Sequence, residues 1–147
     1  MTNNTPITWV PNPRARTITD STAVATNFPE GVFSQTRAFH RQIPGYKPSP
    51  LRSLSGLANM IGVGGIWVKD ESVRLDLNSF KVLGGSFAIY RFIKQQLGRD
   101  DEDLSFEELI SEETRAQLGE ITFATATDGN HGRGVAWAAS QLKCRAV

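Results

Sequence analysis

Lys81 is the residue whose type and neighbours point most directly to covalent chemistry. It lies in Leu77-Asn78-Ser79-Phe80-Lys81-Val82-Leu83-Gly84-Gly85-Ser86-Phe87, between apolar side chains and just before two glycines. An amine held among apolar groups gives up part of the solvation of its ammonium form, so more of it is free to attack a carbonyl carbon and form an imine. The glycines permit a tight turn whose N–H groups approach an anion. The apolar run from Phe87 then reads as a helix with its N-terminus toward that anion. An imine-forming lysine beside an anion cradle suggests pyridoxal phosphate. Read by itself, the same pattern is what a surface lysine gives when it buries its stem and keeps the ammonium in water.

A second cluster is Thr127-Asp128-Gly129-Asn130-His131-Gly132. It follows the strand-like run Ile121-Thr122-Phe123-Ala124-Thr125-Ala126 and precedes an alanine-rich helical pattern from Gly132 to Leu142. Backbone N–H groups in such a turn converge at a helix N-terminus and suit a carboxylate. The plainer reading is a left-handed turn that uses Asp128-Gly129 for geometry alone. His131 in this setting orders the loop rather than moving protons. No metal is indicated, because the chain has two histidines, His40 and His131, and Cys144 stands without ligand spacing.

The elements around these residues follow from period and punctuation. Strand, glycine turn, helix and new strand over 121–147 make a βαβ unit, hence an α/β fold with a parallel sheet and sites at the carboxyl ends of its strands. Ile66-Trp67-Val68-Lys69 reads as a strand ending at Asp70-Glu71. Ser86, Ile89, Tyr90, Ile93 and Leu97 share one helical face, stopped by Gly98. Arg99-Asp100-Asp101-Glu102-Asp103 reads as a solvated linker. Ser105 and Glu108 are spaced as a capping box, with Leu104 and Leu109 as its hydrophobic staple, and the pattern runs on to Leu118 with a break near Ser111. Upstream, a helix with Pro29 in its first turn is expected to end before Pro44. Tyr46 to Leu51 is held extended by two prolines. A further helix follows, with Ser53 as N-cap and Gly62 as stop. Residues 1–27 read as an arm, with a short strand over Ile7-Thr8-Trp9-Val10, and 28–147 as the folded part.

The composition is ordinary: 147 residues, 39% apolar and 21% charged, with a formal charge of +1 that indicates neither nucleic acid nor an acidic membrane. One cysteine forms no internal disulfide, which suits a reducing cytoplasm. There is no leader pattern and no apolar run of spanning length, and a cytoplasmic protein is expected. The chain stops at Val147 just as a new strand begins, so the expectation is a truncated protein.

Three blocks, in order, resemble the fold-type II pyridoxal phosphate enzymes, the tryptophan synthase β-like group that includes threonine dehydratase. Tyr46-Lys47-Pro48-Ser49-Pro50-Leu51 is similar to the Thr-Pro-Leu block of that group. Lys69-Asp70-Glu71 with Ser79-Phe80-Lys81 and Gly84-Gly85 is similar to its Schiff-base segment. Thr127 to Gly132 is similar to its Gly-Asn-His loop. Leu83, where many dehydratases have arginine, and Asp128, where they have a small residue, resemble instead the diaminopropionate ammonia-lyase branch, as do Phe39-His40 and Pro44-Gly45-Tyr46.

The resemblance implies that Lys81 holds pyridoxal 5'-phosphate, with Phe80 and Asn130 as further cofactor contacts, Asn130 toward the 3′-oxygen. It implies that Thr127, Asp128, Gly129 and His131 shape the pocket for the substrate, and that the phosphate loop and the partner of the ring nitrogen lie beyond Val147. It implies a homodimer, and an enzyme that turns both stereoisomers of 2,3-diaminopropionate into pyruvate and ammonia by α,β-elimination. Lys81 and Asp128 are then the expected catalytic pair, two bases acting from different directions. On this view residues 1–147 alone are not a working enzyme. The competing expectations are a serine or threonine dehydratase, a non-catalytic module that binds a small anion in the 128–132 turn, and an inactive remnant.

Overall fold

The computed structural model describes residues 10–16, 22–127 and 129–147. The chain divides into two compact units, Met1–Phe33 and Ser34–Val147. In the first, a 3-10 turn spans Pro13–Arg16, helix α1 spans Thr22–Asn27, and the Phe28 and Phe33 rings stack with centroids 6.1 Å apart. The strand expected over Ile7 to Val10 falls, except for Val10, outside the described residues.

Helix α2 spans Val32–Gln42 and so begins after Pro29 rather than around it. Gly31, at φ +91°, breaks the helical path between the two, and Pro29 is left accepting a turn bond from the Val32 N–H at 3.2 Å.

The second unit continues with strand β1 (Leu51–Ser53), helix α3 (Ser55–Ile61) and strand β2 (Trp67–Lys69). β1 and β2 pair antiparallel, Leu51 opposite Lys69 and Ser53 opposite Trp67. Ser53 is therefore not the N-cap of α3: that position falls to Leu54, which has no side-chain cap bond. A partner strand satisfies the backbone of residues 51–53, whereas a cap would satisfy a single N–H. Gly62 does end α3, in the left-handed conformation at φ +71°, donating its N–H back to the last turn.

Helix α4 spans Lys81–Gln96, so it starts at Lys81 and not near Phe87. The expected turn at Gly84-Gly85 is absent, and both glycines lie inside the helix. The tight turning is done upstream, where Leu75, Asp76 and Asn78 take φ of 47°, 57° and 55°. The Ser79 hydroxyl then accepts the Lys81 N–H at 3.2 Å. Each glycine in a helix interior costs about 1 kcal/mol relative to alanine. Gly85 is buried in return, where α4 meets the next helical layer.

Helix α5 (Phe106–Ile110) opens with the capping box. Ser105 Oγ accepts the Glu108 N–H at 3.1 Å and Glu108 Oε2 accepts the Ser105 N–H at 2.8 Å, with Leu104 and Leu109 both buried. Ser111 supplies the expected break: it closes α5 and caps helix α6 (Glu112–Leu118). Strand β3 (Thr122–Phe123), helix α7 (Gly129–Gln141) and strand β4 (Arg145–Ala146) complete the order, with β3 and β4 parallel. The strand expected over 121–126 contributes two residues to this ladder. Among the described residues each sheet has two strands, so the wider parallel sheet is not formed by them. No described helix is long and apolar enough to cross a membrane.

The core lies where α4 and α7 cross, closed by α2 and α5. Phe39, Ile43, Ile89, Ile93, Leu109, Ala139 and Leu142 are among its buried members. Full burial of a side chain of leucine size contributes about 1.5–3 kcal/mol. The Tyr90 hydroxyl accepts the Leu104 N–H at 3.2 Å, so the polar end of this core ring has a partner.

His40 joins α2 to the start of α4. Its ring packs against Phe39, Tyr46 and Phe87, and Nε2 lies 2.9 Å from the Leu83 carbonyl oxygen. A carbonyl only accepts, so Nε2 carries the proton. Burial holds the imidazole below its ordinary pKa, opposed in part by this hydrogen bond and aided by the nearby Arg74 charge. The unfolded chain therefore takes up the proton first as pH falls. The contribution of His40 is fully present above about pH 6.5 and declines below it, down to the lower folded-state value. Urea unfolding midpoints of wild type and His40→Gln, followed from pH 8 to pH 5, are expected to diverge in slope only below about pH 6.5. A constant offset between the two curves would show that His40 takes up its proton equally in the folded and unfolded states.

Candidate active site

The site begins with a backbone problem: presenting a lysine at a helix start after a loop of three left-handed residues. Arg74 answers it from below. This guanidinium is 5% exposed. It donates from Nε to Glu71 Oε2 at 2.8 Å, from Nη2 to Ser49 Oγ at 2.9 Å and from Nη1 to the Lys47 carbonyl at 2.7 Å, with the Tyr46 ring 5.2 Å away. Ser49 in turn donates to Glu71, and Lys69 donates to the Ser49 carbonyl. The hydrogen bond and charge of Arg74 hold the Glu71 carboxyl below its usual range, and Glu71 raises Arg74. The first two resemblance blocks, 46–51 and 69–71, are thus fastened together through a residue the sequence reading passed over. Its one signal was the i,i+3 spacing of Glu71 and Arg74.

Lys81 stands where α4 begins and is exposed rather than held in an apolar pocket. Its apolar neighbour is the Phe80 ring, with Nζ 5.3 Å from the ring centroid. Val82 and Ser86 turn into the core instead, because the helix has already started and distributes these residues around its axis.

Lys81 lines a cavity of ≈ 570 Å³ together with Thr127, Gly129, Asn130 and His131. Four of the expected cofactor- and substrate-binding positions therefore share one space with the lysine, although they lie far from it in the chain. Phe80 sits beside Lys81 without lining the cavity, and Asp128 lies outside the described residues. Helix α7 starts at Gly129 rather than Gly132, so Gly129, Asn130 and His131 form its first turn, where N–H groups have no partner within the helix. His131 also borders an apolar cavity of ≈ 310 Å³ lined by Gly84, Gly85, Ile89, Phe92, Phe123 and Val135. The paired glycines thus face this second space and not the first. Among the described residues no group of histidine, cysteine and carboxylate side chains is arranged to hold a metal.

An accessible amine, a side-chain amide and the first turn of a 13-residue helix around a cavity of this size fit an anionic aldehyde such as pyridoxal phosphate. The amine supplies the covalent attachment and the helix start favours negative charge.

Removal of the guanidinium should be felt throughout this arrangement, because it leaves the Glu71 carboxylate with Ser49 as its remaining donor and takes a donor from the Ser49 hydroxyl and the Lys47 carbonyl. Arg74→Ala is expected to lower unfolding free energy by about 3 kcal/mol, and Arg74→Lys to recover only part of that, since an ammonium cannot reproduce the fork. Denaturant titration of both variants checks this, and an alanine variant as stable as wild type would show that the network is not needed.

Comparison with known proteins follows the same outline. The model of the family "Pyridoxal-phosphate dependent enzyme" matches residues 43–147. Diaminopropionate ammonia-lyase of Escherichia coli strain K12 is 52% identical over 122 residues, covering 79% of this chain and 29% of that protein. The Salmonella typhimurium strain LT2 protein of the same name is 48% identical over 110 residues, covering 75% of this chain and 27% of its own length. The crystal structure of the E. coli protein in complex with D-serine superposes with a TM-score of 0.70 at 52% identity, over 78% of this chain and 28% of that one. Its complex with an aminoacrylate–PLP azomethine reaction intermediate gives a TM-score of 0.66 at 52% identity, over 78% and 27%. The chain thus spans under a third of the length of these relatives. With the matched region beginning ahead of the Tyr46 block and holding both the lysine and the turn that faces it, the chain belongs to the pyridoxal-phosphate dependent enzyme family.

Proposed function

We propose that these residues carry the cofactor lysine and the substrate-carboxylate turn of an ammonia-lyase that converts 2,3-diaminopropionate to pyruvate and ammonia. The observation that supports it is the single cavity shared by Lys81, Thr127, Gly129, Asn130 and His131. Lys81 would hold the cofactor through its amine, and that amine, when free, would take the proton from the substrate's Cα on its side. Asn130 orients the cofactor through its 3′-oxygen. Thr127, Gly129 and His131, with the N–H groups that open α7, take the substrate carboxylate. Phe80, whose ring centroid lies 5.3 Å from the Lys81 Nζ, is a further contact for the cofactor. Asp128 is the second base, acting on Cα from another direction.

Pyridoxal phosphate supplies the electron sink that stabilises negative charge at Cα. Loss of the Cα proton and cleavage of the Cβ–N bond release one ammonia. The resulting three-carbon enamine takes up water to give pyruvate and a second ammonia, so one diaminopropionate and one water balance one pyruvate and two ammonia. The similar E. coli protein has been solved with D-serine, an amino acid that carries an α-carboxylate and an α-amine as 2,3-diaminopropionate does. This reading carries with it an arm over residues 1–27, a wider parallel sheet of βαβ units, a homodimer and a cytoplasmic location.

Lys81→Ala in the holoenzyme is expected to abolish both the visible absorbance of the covalently held cofactor and release of pyruvate. Retention of both would end the assignment. Asp128→Asn keeps the shape of the side chain but not its basicity, so cofactor binding should persist while turnover of one stereoisomer of diaminopropionate falls at least about tenfold more than the other. Equal losses for the two isomers, measured as pyruvate formed, would remove the second base.

A further inference from the structure

Lys81 and Asn130 line one cavity, yet they sit on different helices, and something must set the gap between α4 and α7 there. A backbone contact at Gly134 does so. A Cβ built on this residue would lie 2.9 Å from Val82 N, 3.0 Å from Val82 Cα and 3.3 Å from the Lys81 carbonyl carbon. All three are backbone atoms of the first turn of α4, so no rotamer change relieves the overlap. Other glycines near the site are unlike it: Gly84 and Gly129 have open space at that position, and Gly132 would meet the Thr127 methyl at 3.4 Å. On the far side of the crossing, a Cβ on Gly85 would touch Val135 Cγ2 at an ordinary 3.5 Å.

Gly134 is also one helical turn beyond Asn130, so the two share a face of α7. The residue that meets the Lys81–Val82 peptide is thus directly in line with a residue that lines the same cavity as Lys81. We propose that Gly134 is a positioning residue for the cofactor lysine: its lack of a side chain lets α7 lie on the Lys81–Val82 backbone, and this contact sets the distance between Lys81 and Asn130. Ordinary carbon contacts are about 3.5–4.0 Å, so any side chain at 134 moves the helix starts apart by about half an ångström to one ångström. Displacements of that size between reacting groups cost up to about a hundredfold.

The inference rests on Lys81 being the cofactor lysine. Borohydride reduction of the wild-type holoenzyme followed by peptide mass spectrometry tests that separately, since a label on another lysine would fail that reading before any glycine variant is considered. The positioning role is tested with Gly134→Ala, Gly85→Ala and Gly85→Val in the holoenzyme. The measurements are the urea unfolding midpoint, the pyridoxal phosphate dissociation constant, and the fraction of bound cofactor that borohydride fixes to Lys81.

Gly134→Ala is expected to remain folded, to bind cofactor about tenfold or more weakly, and to lower the fixed fraction of what is bound. Gly85→Ala should match wild type in both readings, and Gly85→Val, which wedges the same crossing from the other helix, should shift them in the direction of Gly134→Ala. A folded Gly134→Ala with wild-type affinity and fixed fraction overturns the proposal. Should that variant be insoluble, a folded Gly85→Val with unchanged readings overturns it equally. Failure of both to fold also overturns it, by showing that the contact serves the fold and not the lysine.

Discussion

The crossing of α4 over α7 is the contact on which the rest of this structure depends. It is close because small residues line it: Gly134 lies against the Lys81–Val82 backbone, Gly85 faces Val135, and Ala138 and Ala139 continue the buried face of α7. Close backbones leave no room for water and bring many atoms into van der Waals range, which offsets the helix propensity lost at each glycine. The same geometry aligns two helix starts side by side. One carries an amine, and the other carries an amide and N–H groups that have no partner within the helix, so packing and site formation are a single event.

Around this crossing, polar groups are used sparingly and almost always with partners. No side-chain nitrogen or oxygen buried among the described residues lacks a hydrogen bond. Arg74 is the extreme case, a buried cation whose donors reach Glu71, Ser49 and the Lys47 carbonyl. Such a network contributes little net stability beside an apolar packing of equal volume. It does fix the backbone that leads into the loop at Leu75, Asp76 and Asn78, whose left-handed conformations are unfavourable for side-chain-bearing residues. His40 acts on the other side of that loop from α2, donating to the Leu83 carbonyl in the first turn of α4. The start of α4 is therefore held by a hydrogen bond from α2 and by steric contact with α7.

In the function proposed above, attachment and recognition belong to separate elements: Lys81 opens α4, while Gly129, Asn130 and His131 open α7, and Thr127 lines the same cavity. The second, apolar cavity beside His131 shows that this residue borders both a polar and an apolar space.

Local signals in the sequence determined those features whose physical cause is local. The capping box at Ser105 and Glu108 needs only three residues of spacing, and the stops at Gly62 and Gly98 need only a left-handed backbone. Both are where the pattern put them. The break at Ser111 is of the same kind. Lys81, Thr127, Gly129, Asn130 and His131, singled out in the sequence by residue type and motif, line one cavity in the structure. Tertiary structure decided the rest. Whether Gly84-Gly85 formed a turn or a helix depended on Val135 and on turning already achieved upstream. The fate of Leu51 to Ser53 depended on a β2 partner, and the importance of Arg74 on three groups scattered between Lys47 and Glu71. Each of these outcomes turns on contacts between distant parts of the chain, and periodicity along one segment carries no information about what another segment will bring to it.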